Sequence, residues 1–472
     1  MTKTAADVIV VGMGIAGGCA AVEAAAAGAS VLVLERAAIA GGTSAMAGGH
    51  FYLGGGTVVQ RATGHPDSPD EMHAYLMAVT PDPEPDKIRA YADGSAWHCD
   101  WLESLGFEFE RSYYPEKAVI QPQTQGLMYS GNEKVWPFRE LAVPAPRGHK
   151  VPVPGDTGGA KLVVDLLVRR ARELGVEIRY ETAATELMTA RGAVTGVRWR
   201  SLEGTGVLAA GSVILAAGGF VMNAAMVAQN VPHVAEKPFV LGTPYDDGLG
   251  IQLGMSAGGQ ALHMDQAFIT APFYPPGKLL TGVIVNTLGK RFVAEDSYHS
   301  RTSAFVLDQP GRAAFLIVDS VHMERPEFPL VPFIDGWETI AEMEAGLRIP
   351  AGNLAATMAA YNAAAARRED PEFHKHPDWI EAQDTGPWAA FDLTLGRAMY
   401  AGFTLGGLRC TVDGQVQRAD GSIVPGLYAA GACASNIAQD AKGYSSGIQL
   451  GEGSFFGRRA GRHAALARRG EY

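Results

Sequence analysis

The stretch from Asp7 to Glu35 constrains the fold more than any other part of the chain. Asp7 to Val11 reads DVIVV, an apolar run of strand length. Gly12-Met13-Gly14-Ile15-Ala16-Gly17 follows, and an alanine-rich run to Ala27 then reads as a helix opened by Ile15 and Ala16. Gly12 lets the chain turn, Gly14 removes a Cβ where a pyrophosphate would approach, and Gly17 lets the helix pack close to the strand. The unpaired amides at the helix start face the phosphates. After Gly28, Ser30 to Leu34 is a second strand. It ends at Glu35, an acid placed to take both hydroxyls of a ribose. In a chain with 58 glycines a lone G-x-G-x-x-G arises by chance. Strand, helix, second strand and acid in register with it do not, so the stretch reads as a dinucleotide site in an α/β domain.

The next residues select the dinucleotide. Ala40 to Gly49 supplies small residues (Gly41, Gly42, Gly48 and Gly49), free amides and the hydroxyls of Thr43 and Ser44. The ribityl chain and ring of FAD would continue there from the pyrophosphate, whereas a fold for NAD alone has no need of such a stretch. From Glu35-Arg36 through Gly41-Gly42-Thr43-Ser44 the chain resembles the fumarate reductase and 3-ketosteroid dehydrogenase superfamily of flavoproteins. Members in membrane complexes carry a histidine covalently linked to the flavin here. The matching position is Gly42, so the resemblance implies non-covalent FAD.

The same resemblance implies a Rossmann-like FAD-binding domain of the glutathione-reductase type, residues 1–236 and 398–472, with an inserted α+β capping domain at 237–397. Several further segments carry it. The strand from Val176 to Thr182 ends beside the adenine in related flavoproteins, next to Ala183. Ser212 to Ala216 runs into Ala217-Gly218-Gly219, a second glycine turn like the family's A-T-G-G, with Ala217 replacing threonine. Asp246-Asp247-Gly248 matches the family's D-G motif and offers Asp247 to the cofactor. Thr404, Gly406, Gly407 and Gly431 read as flavin-positioning residues, and Ser446, Gly447 and Leu450 complete the expected flavin contacts.

Composition narrows the class. With 39 Lys and Arg against 50 Asp and Glu, the net charge is −11, and there are no basic runs that would suit nucleic acid. Arg458, Arg459, Arg462, Arg468 and Arg469 read as a cationic helix end facing solvent. No apolar run of about eighteen residues suggests a membrane span, and the chain runs directly into a core strand, so a cytoplasmic protein without a cleaved leader is expected. Cys19, Cys99, Cys410 and Cys433 show no pairing pattern and read as packing residues, with no metal site.

Helices are expected within Ser68 to Leu105, over Lys161 to Leu174 and over Ala351 to Arg368, and a hairpin over Val194 to Arg200 and Gly206 to Ala209. Phe107 to Pro154 lacks periodicity and is rich in proline and aromatics, Tyr113, Tyr114, Tyr129, Trp136 and Phe138 among them; such a stretch is a binding loop or lid. His50 stands beside a glycine turn, from which it could approach the flavin, and reads as an ordinary polar residue.

Two stretches select among reactions. Gly289 to Arg301 resembles fumarate and urocanate reductases, but their proton-donating arginine falls on His299, and their carboxylate-holding histidine falls in the neighbourhood of Gly402-Phe403. Arg301 would replace that arginine only with a rearranged loop. Lys442 to Gly461 resembles bacterial 3-ketosteroid delta-4 dehydrogenases, with Tyr-x-Ser before S-G and the closing G-S-F-F-G-R-R-A-G. Tyr52 to Thr57, Gly126 to Gly131 and Pro144 to His149 extend the likeness. Delta-1 dehydrogenases have a Tyr-Pro-Gly-Pro-Gly type of turn that is absent here.

The resemblance implies a catalytic set of Tyr298, Tyr444 and Ser446. Desaturation beside a ketone takes a proton from the alpha carbon and a hydride from the beta carbon, and the proton leaves readily only if placed donors stabilise the enolate. Tyr444 and a backbone amide of the turn from Gly447 would hold the carbonyl, while Ser446, bonded to Tyr298, removes the proton; the two tyrosines could exchange roles. Tyr52 and Tyr129 join Tyr298, Tyr444 and Gly447 as expected substrate contacts. The partners implied are a small apolar ketone, a steroid by resemblance, and an external electron acceptor. An ene-reductase of the fumarate or urocanate type, a delta-1 dehydrogenase and a non-catalytic flavoprotein subunit remain as alternatives.

Overall fold

The computed structural model describes residues 6–235 and 239–467. Its organising element is a sheet in which Ala6–Val11 lies between Val31–Leu34 and Gly204–Leu215, all parallel, with Val8 opposite Val31 and Val10 opposite Ile214. Glu177–Arg179 extends one side and Ile423–Ala429 the other, again parallel. Valine and isoleucine suit these strands because both faces are covered. Val8, Val10, Val31 and Val33 pack under the helices Ile15–Ala26, Lys161–Glu173 and Ile448–Ala467. Their alternates Ile9, Val11, Leu32 and Leu34 pack on the opposite side, against Val197, Leu208 and Ile251.

The first and last helices lie unusually close. A Cβ at Gly457 would stand 2.4 Å from the Ala16 carbonyl oxygen, and one at Gly461 2.2 Å from that of Ala20. Only glycine permits this backbone contact, which fixes the dinucleotide turn against the C-terminal helix.

Residues 239 to 404 contribute two further sheets. A four-stranded antiparallel sheet runs Val283–Asn286, Ala314–Asp319, Trp388–Asp392 and Phe333–Trp337 in spatial order. Ala267–Thr270 pairs antiparallel with Ala401–Thr404, and the latter pairs parallel with Phe239–Val240. This small sheet supports the chemistry described below.

Several local expectations change. The region from Ser68 to Leu105 holds two helices, Pro69–Val79, capped by the Ser68 side chain, and Pro85–Glu103. The helix expected over Ala351 to Arg368 is confined to Asn353–Ala365; Gly352 has positive φ before it and Arg368 after it. The hairpin strand at Gly206 and the strand at Ser212 are one continuous element, Gly204–Leu215. Its first half pairs antiparallel with Ala193–Ser201 and its second half joins the parallel sheet, so one strand serves two neighbours.

The arginine-rich helix end is not simply a solvated face. Arg458 is buried, its guanidinium between the rings of Trp97 and Trp101 at 4.2 and 4.0 Å and bonded to Glu23 at 3.1 Å. Arg459 pairs with Asp413 at 2.7 Å. Arg462 does face solvent, while Arg468 and Arg469 lie outside the described residues. The four cysteines are buried and unpaired. Among the described residues, no helix is long and apolar enough to cross a membrane.

Candidate active site

The first glycine turn is built as its spacing requires. Gly12 has φ +100°, and a Cβ there would lie 2.4 Å from the Ala216 carbonyl oxygen; at Gly17 it would lie 2.0 Å from that of Gly12. Gly14 is extended at the helix cap and has no side chain of its own to cap it, so the first-turn amides beyond Ile15 stay open to an anion. The loop from Gly41 folds over that start: Ser44 Oγ accepts from the Ile15 amide at 3.1 Å, and the Gly41 amide donates to the Met13 carbonyl at 2.9 Å.

Glu35 is buried at the end of its strand, accepting from the Met13 amide at 2.8 Å and the Ala37 amide at 2.7 Å. Each carboxylate oxygen keeps a lone pair for a hydroxyl donor. Burial raises the Glu35 pKa, opposed by those two amides. The Thr182 amide donates to the Glu35 carbonyl at 2.9 Å, which brings Ala183 alongside.

Asp246 and Asp247 tie the two glycine turns together. Arg36 pairs with Asp247 at 2.8 Å, its guanidinium over the Tyr245 ring at 4.6 Å. The Thr43 hydroxyl donates to the Asp246 carboxylate, and a Cβ at Gly218, in the turn Ala217-Gly218-Gly219, would stand 2.2 Å from the same carboxylate. Thr404 and Gly406, expected to position the flavin, both brace protein backbone. Thr404 Oγ1 accepts from the Phe220 amide at 3.1 Å, and a Cβ at Gly406 would lie 2.5 Å from the Met264 Cα. Gly48 and Gly49 likewise abut Asp156 and Val151. Gly431, with φ +65°, approaches Ala16 at the open helix start.

These residues fit FAD. An uncapped helix start, a Cβ-free approach at Gly14, an acid at the ribose position and a second glycine turn held against the first satisfy the needs of a dinucleotide. Gly42 offers no side chain for a covalent link, and nothing lies within 4 Å of where its Cβ would be.

Beyond this cradle the predicted catalytic residues converge. Tyr298 occupies the cap of the helix His299–Leu307, and Tyr444 and Ser446 lie in the loop before Ile448–Ala467. The rings of Tyr298 and Tyr444 stack with centroids 6.4 Å apart. Phe268 and Phe403, brought face to face at 4.8 Å by the small sheet, pack on Tyr444 at 4.5 and 5.9 Å. The Tyr298 hydroxyl faces the Ser446 side chain, which tempers the rise of its pKa. Ser446 is fixed by its backbone: its amide donates to the Ser130 carbonyl at 2.7 Å, and the Ser130 hydroxyl donates to its carbonyl at 3.0 Å.

Burial sets the protonation of this cluster. Both phenols are raised far above the ordinary tyrosine value, chiefly by desolvation, so each is a neutral hydroxyl donor at physiological pH. Gly447, with φ +90°, meets the strand His50–Tyr52, the Tyr52 amide donating to its carbonyl at 3.0 Å; Leu450 is buried one turn further along. Tyr52 is buried in the same apolar cluster as Tyr298 and Tyr444. Tyr129 lies at the partly exposed rim, its hydroxyl donating to the Pro144 carbonyl at 3.3 Å.

Sequence reading passed over His50. Its ring is buried, Nδ1 is 3.5 Å from Ser446 Oγ, and Nε2 has no partner. Burial, reinforced by Lys150 and His149, lowers its pKa to about 3, so the imidazole is neutral. The glycines preceding it, which drive the chain inward, were the available signal. Glu133, Arg147 and Asp67 were also unforeseen; Arg147 and Asp67 form a fully buried two-pronged pair, with contacts of 2.9 and 2.7 Å.

The reductase-type groups are disposed otherwise. His299 is bonded to Thr270 and lowered to about pKa 3 by burial. Arg301 lies between the rings of Phe138 and Phe305, at 4.9 and 5.0 Å.

The whole chain matches known proteins. A 3-ketosteroid-delta4-(5alpha)-dehydrogenase from Rhodococcus jostii RHA1, solved in complex with 4-androstene-3,17-dione, is 39% identical, with a TM-score of 0.91 and 98% of each chain covered. A 3-oxo-5-alpha-steroid 4-dehydrogenase of Comamonas testosteroni is 27% identical over 90% of this chain and 92% of its own. A fumarate reductase (cytochrome) of Shewanella frigidimarina is 28% identical over 97% of this chain and 77% of its own. The family model described as FAD binding domain matches residues 7–452, and this chain, with its mixed α/β flavoprotein fold, belongs to that family.

Proposed function

We propose that this protein is an FAD-dependent dehydrogenase that introduces the carbon 4 to carbon 5 double bond into a saturated 3-ketosteroid. One observation carries the reading: the stacked rings of Tyr298 and Tyr444, with Ser446 beside Tyr298, in a cluster otherwise walled by apolar rings. Likeness over full length to delta-4 dehydrogenases supports it.

Tyr444, held protonated by burial, donates to the ketone oxygen together with a backbone amide of the turn from Gly447, and the enolate that develops is stabilised there. Ser446 takes the proton from carbon 4 as its own passes to Tyr298 and the phenolic proton of Tyr298 passes on to water. Ser446 acts on the Tyr298 hydroxyl and not on that of Tyr444, which favours this assignment of the two tyrosines over the reverse. FAD held in this cradle would supply the acceptor for the hydride of carbon 5. Tyr52 and Phe268 keep water from the enolate, and Tyr129 borders the substrate at the rim.

The finer architecture belongs to the same reading. Residues 1–236 and 398–472 form a Rossmann-like FAD domain of the glutathione-reductase type, and 237–397 form an α+β cap; the join at 236–237 lies outside the described residues. FAD is bound without a covalent link, Gly42 offering no side chain for one. An external acceptor reoxidises the flavin, and the buried free thiols suit the reducing cytoplasm. Ene-reduction of the fumarate type has less support, because a neutral His299 stands where the proton donor would be.

Tyr444→Phe should retain FAD and lose steroid-dependent dye reduction by about 100-fold or more. Unchanged turnover would remove Tyr444 from the mechanism. Turnover of a saturated ketosteroid by the isolated chain with an artificial acceptor separates this reading from a non-catalytic subunit.

A further inference from the structure

Tyr298, Tyr444 and Ser446 come from two distant segments. Tyr298 stands at the start of the helix His299–Leu307, while Tyr444 and Ser446 lie in the loop before Ile448–Ala467. The two rings stack at 6.4 Å only if one segment is set accurately against the other. A third segment meets both. It is Ser130-Gly131-Asn132, in the aperiodic stretch between Phe107 and Pro154.

Each of its three residues touches the catalytic loop. Ser130 holds Ser446 through the two hydrogen bonds described above. Gly131 lies against Ser445: a Cβ there would stand 2.0 Å from Ser445 Oγ and 2.9 Å from the Tyr75 hydroxyl oxygen, so the segment is seated without slack. That hydroxyl is 3.1 Å from Ser445 Oγ and accepts from the Asn132 amide at 2.9 Å. Glu133 Oε2 accepts from the Gly131 amide at 2.9 Å, and the Asn132 carbonyl accepts from the Val135 amide at 2.9 Å, which closes the turn on itself.

Asn132 is 0% exposed, and its side chain reaches both segments. Oδ1 accepts from the Tyr298 amide at 2.9 Å, and Nδ2 donates to the carbonyl of Lys442, two residues before Tyr444, at 3.4 Å. One partner is a donor and the other an acceptor, which a carboxamide satisfies and neither a carboxylate nor an apolar side chain does. The two contacts differ in consequence. The Lys442 carbonyl also accepts from Arg301 at 3.3 Å, and the Ala441 carbonyl accepts from the Ser300 hydroxyl at 2.7 Å, so the Tyr444 loop keeps other ties to the helix. The Tyr298 amide has its partner in Asn132. A buried backbone donor deprived of its acceptor is costly, and a helix cap that shifts to find another carries its ring with it.

We propose that Asn132 is a positioning residue for the desaturation, fixing Tyr298 relative to Tyr444 and Ser446 by bridging the segments that carry them; this rests on the desaturation reading above. Asn132 neither gives nor takes a proton. Its effect on the reaction runs through where Tyr298 stands.

The test is anaerobic single-turnover flavin reduction by a saturated 3-ketosteroid in the holoprotein, the limiting rate and the substrate dissociation constant both being read from the concentration dependence. Asn132→Leu, similar in size but unable to serve either partner, should lower the limiting rate by about tenfold or more and leave the dissociation constant within about threefold of wild type. A smaller loss of rate, or a loss carried by the dissociation constant, overturns the proposal. A double-mutant cycle then asks whether the loss runs through Tyr298. Added to Tyr298→Phe, Asn132→Leu should cost less than about threefold, because the hydroxyl it positions is already gone; a further loss as large as in the wild-type background overturns the proposal. If Asn132→Leu does not retain FAD, Asn132→Ser, smaller and still polar, is read by both measurements with the same criteria. Tyr298→Phe alone separates the two levels. Normal reduction in Tyr298→Phe refutes the desaturation assignment itself, whereas a crippled Tyr298→Phe beside an unaffected Asn132 variant refutes only Asn132.

Discussion

Replacing Tyr298 with phenylalanine removes one oxygen from a ring that is 3% exposed and keeps its packing against His299 at 3.9 Å and Tyr444 at 6.4 Å. What is lost is the hydroxyl that faces Ser446. Ser446 would then have only His50 Nδ1, at 3.5 Å, to take its proton. Burial has lowered that imidazole from 6.5 to about 3. At about 1.36 kcal/mol for each pKa unit, using it as the acceptor costs ~5 kcal/mol more than using an ordinary histidine. The detour is therefore closed, and the expected loss is the full general-base contribution, about 100- to 10,000-fold in the rate of flavin reduction. The assay is single-turnover bleaching under anaerobic conditions with saturating ketosteroid, alongside an FAD titration to show that the cradle is intact. A variant within about fivefold of wild type would refute the coupling of Ser446 to Tyr298. A variant that fails to hold FAD would refute the claim that this hydroxyl lies apart from the cofactor cradle.

Other consequences follow from buried groups and close contacts. Glu452 accepts from the Ile437 amide at 2.8 Å, and burial raises it from 4.5 to about 8. Between those values the folded chain keeps a proton that the unfolded chain has lost, so stability falls as pH rises through that window and levels off above it. Glu452→Gln should therefore shrink the drop in Tm between pH 5 and 8; an unchanged drop assigns it to other groups. Asp67→Asn leaves the buried Arg147 without its paired charge and should cost about 3–5 kcal/mol, read as a lower denaturation midpoint. A midpoint equal to wild type would mean that Glu133 compensates. Gly457→Val sets a Cβ 2.4 Å from the Ala16 carbonyl oxygen. Overpacking of about 1–3 kcal/mol should displace the dinucleotide turn and weaken FAD binding about tenfold or more, measured by fluorescence titration.

The dinucleotide half was legible because its constraints are local. Gly12, Gly14 and Gly17 act within one turn of chain, and Val8 to Val11 alternate between two covered faces. The same locality explains what was misjudged. Arg458 read as solvated because helical periodicity carries no information about Trp97 and Trp101, which arrive from another helix. The hairpin and the parallel strand looked like separate elements because Gly206 and Gly211 interrupt the apolar run, although the backbone continues from Gly204 to Leu215.

The proposed catalytic residues were legible only as motifs, and their convergence depends on sheet register. Pairing of Phe268 with Phe403 places two rings face to face, and those rings support Tyr444. A one-residue slip in that pairing would turn one of the two rings to the opposite face and withdraw the support, yet nothing in either segment alone encodes the partner. His50 and Glu133 were missed for a related reason. A histidine after two glycines and a glutamate in an aperiodic loop carry no pattern of their own. Their significance lies in what burial does to two titratable groups in opposite directions: it takes basicity from the imidazole and adds it to the carboxyl.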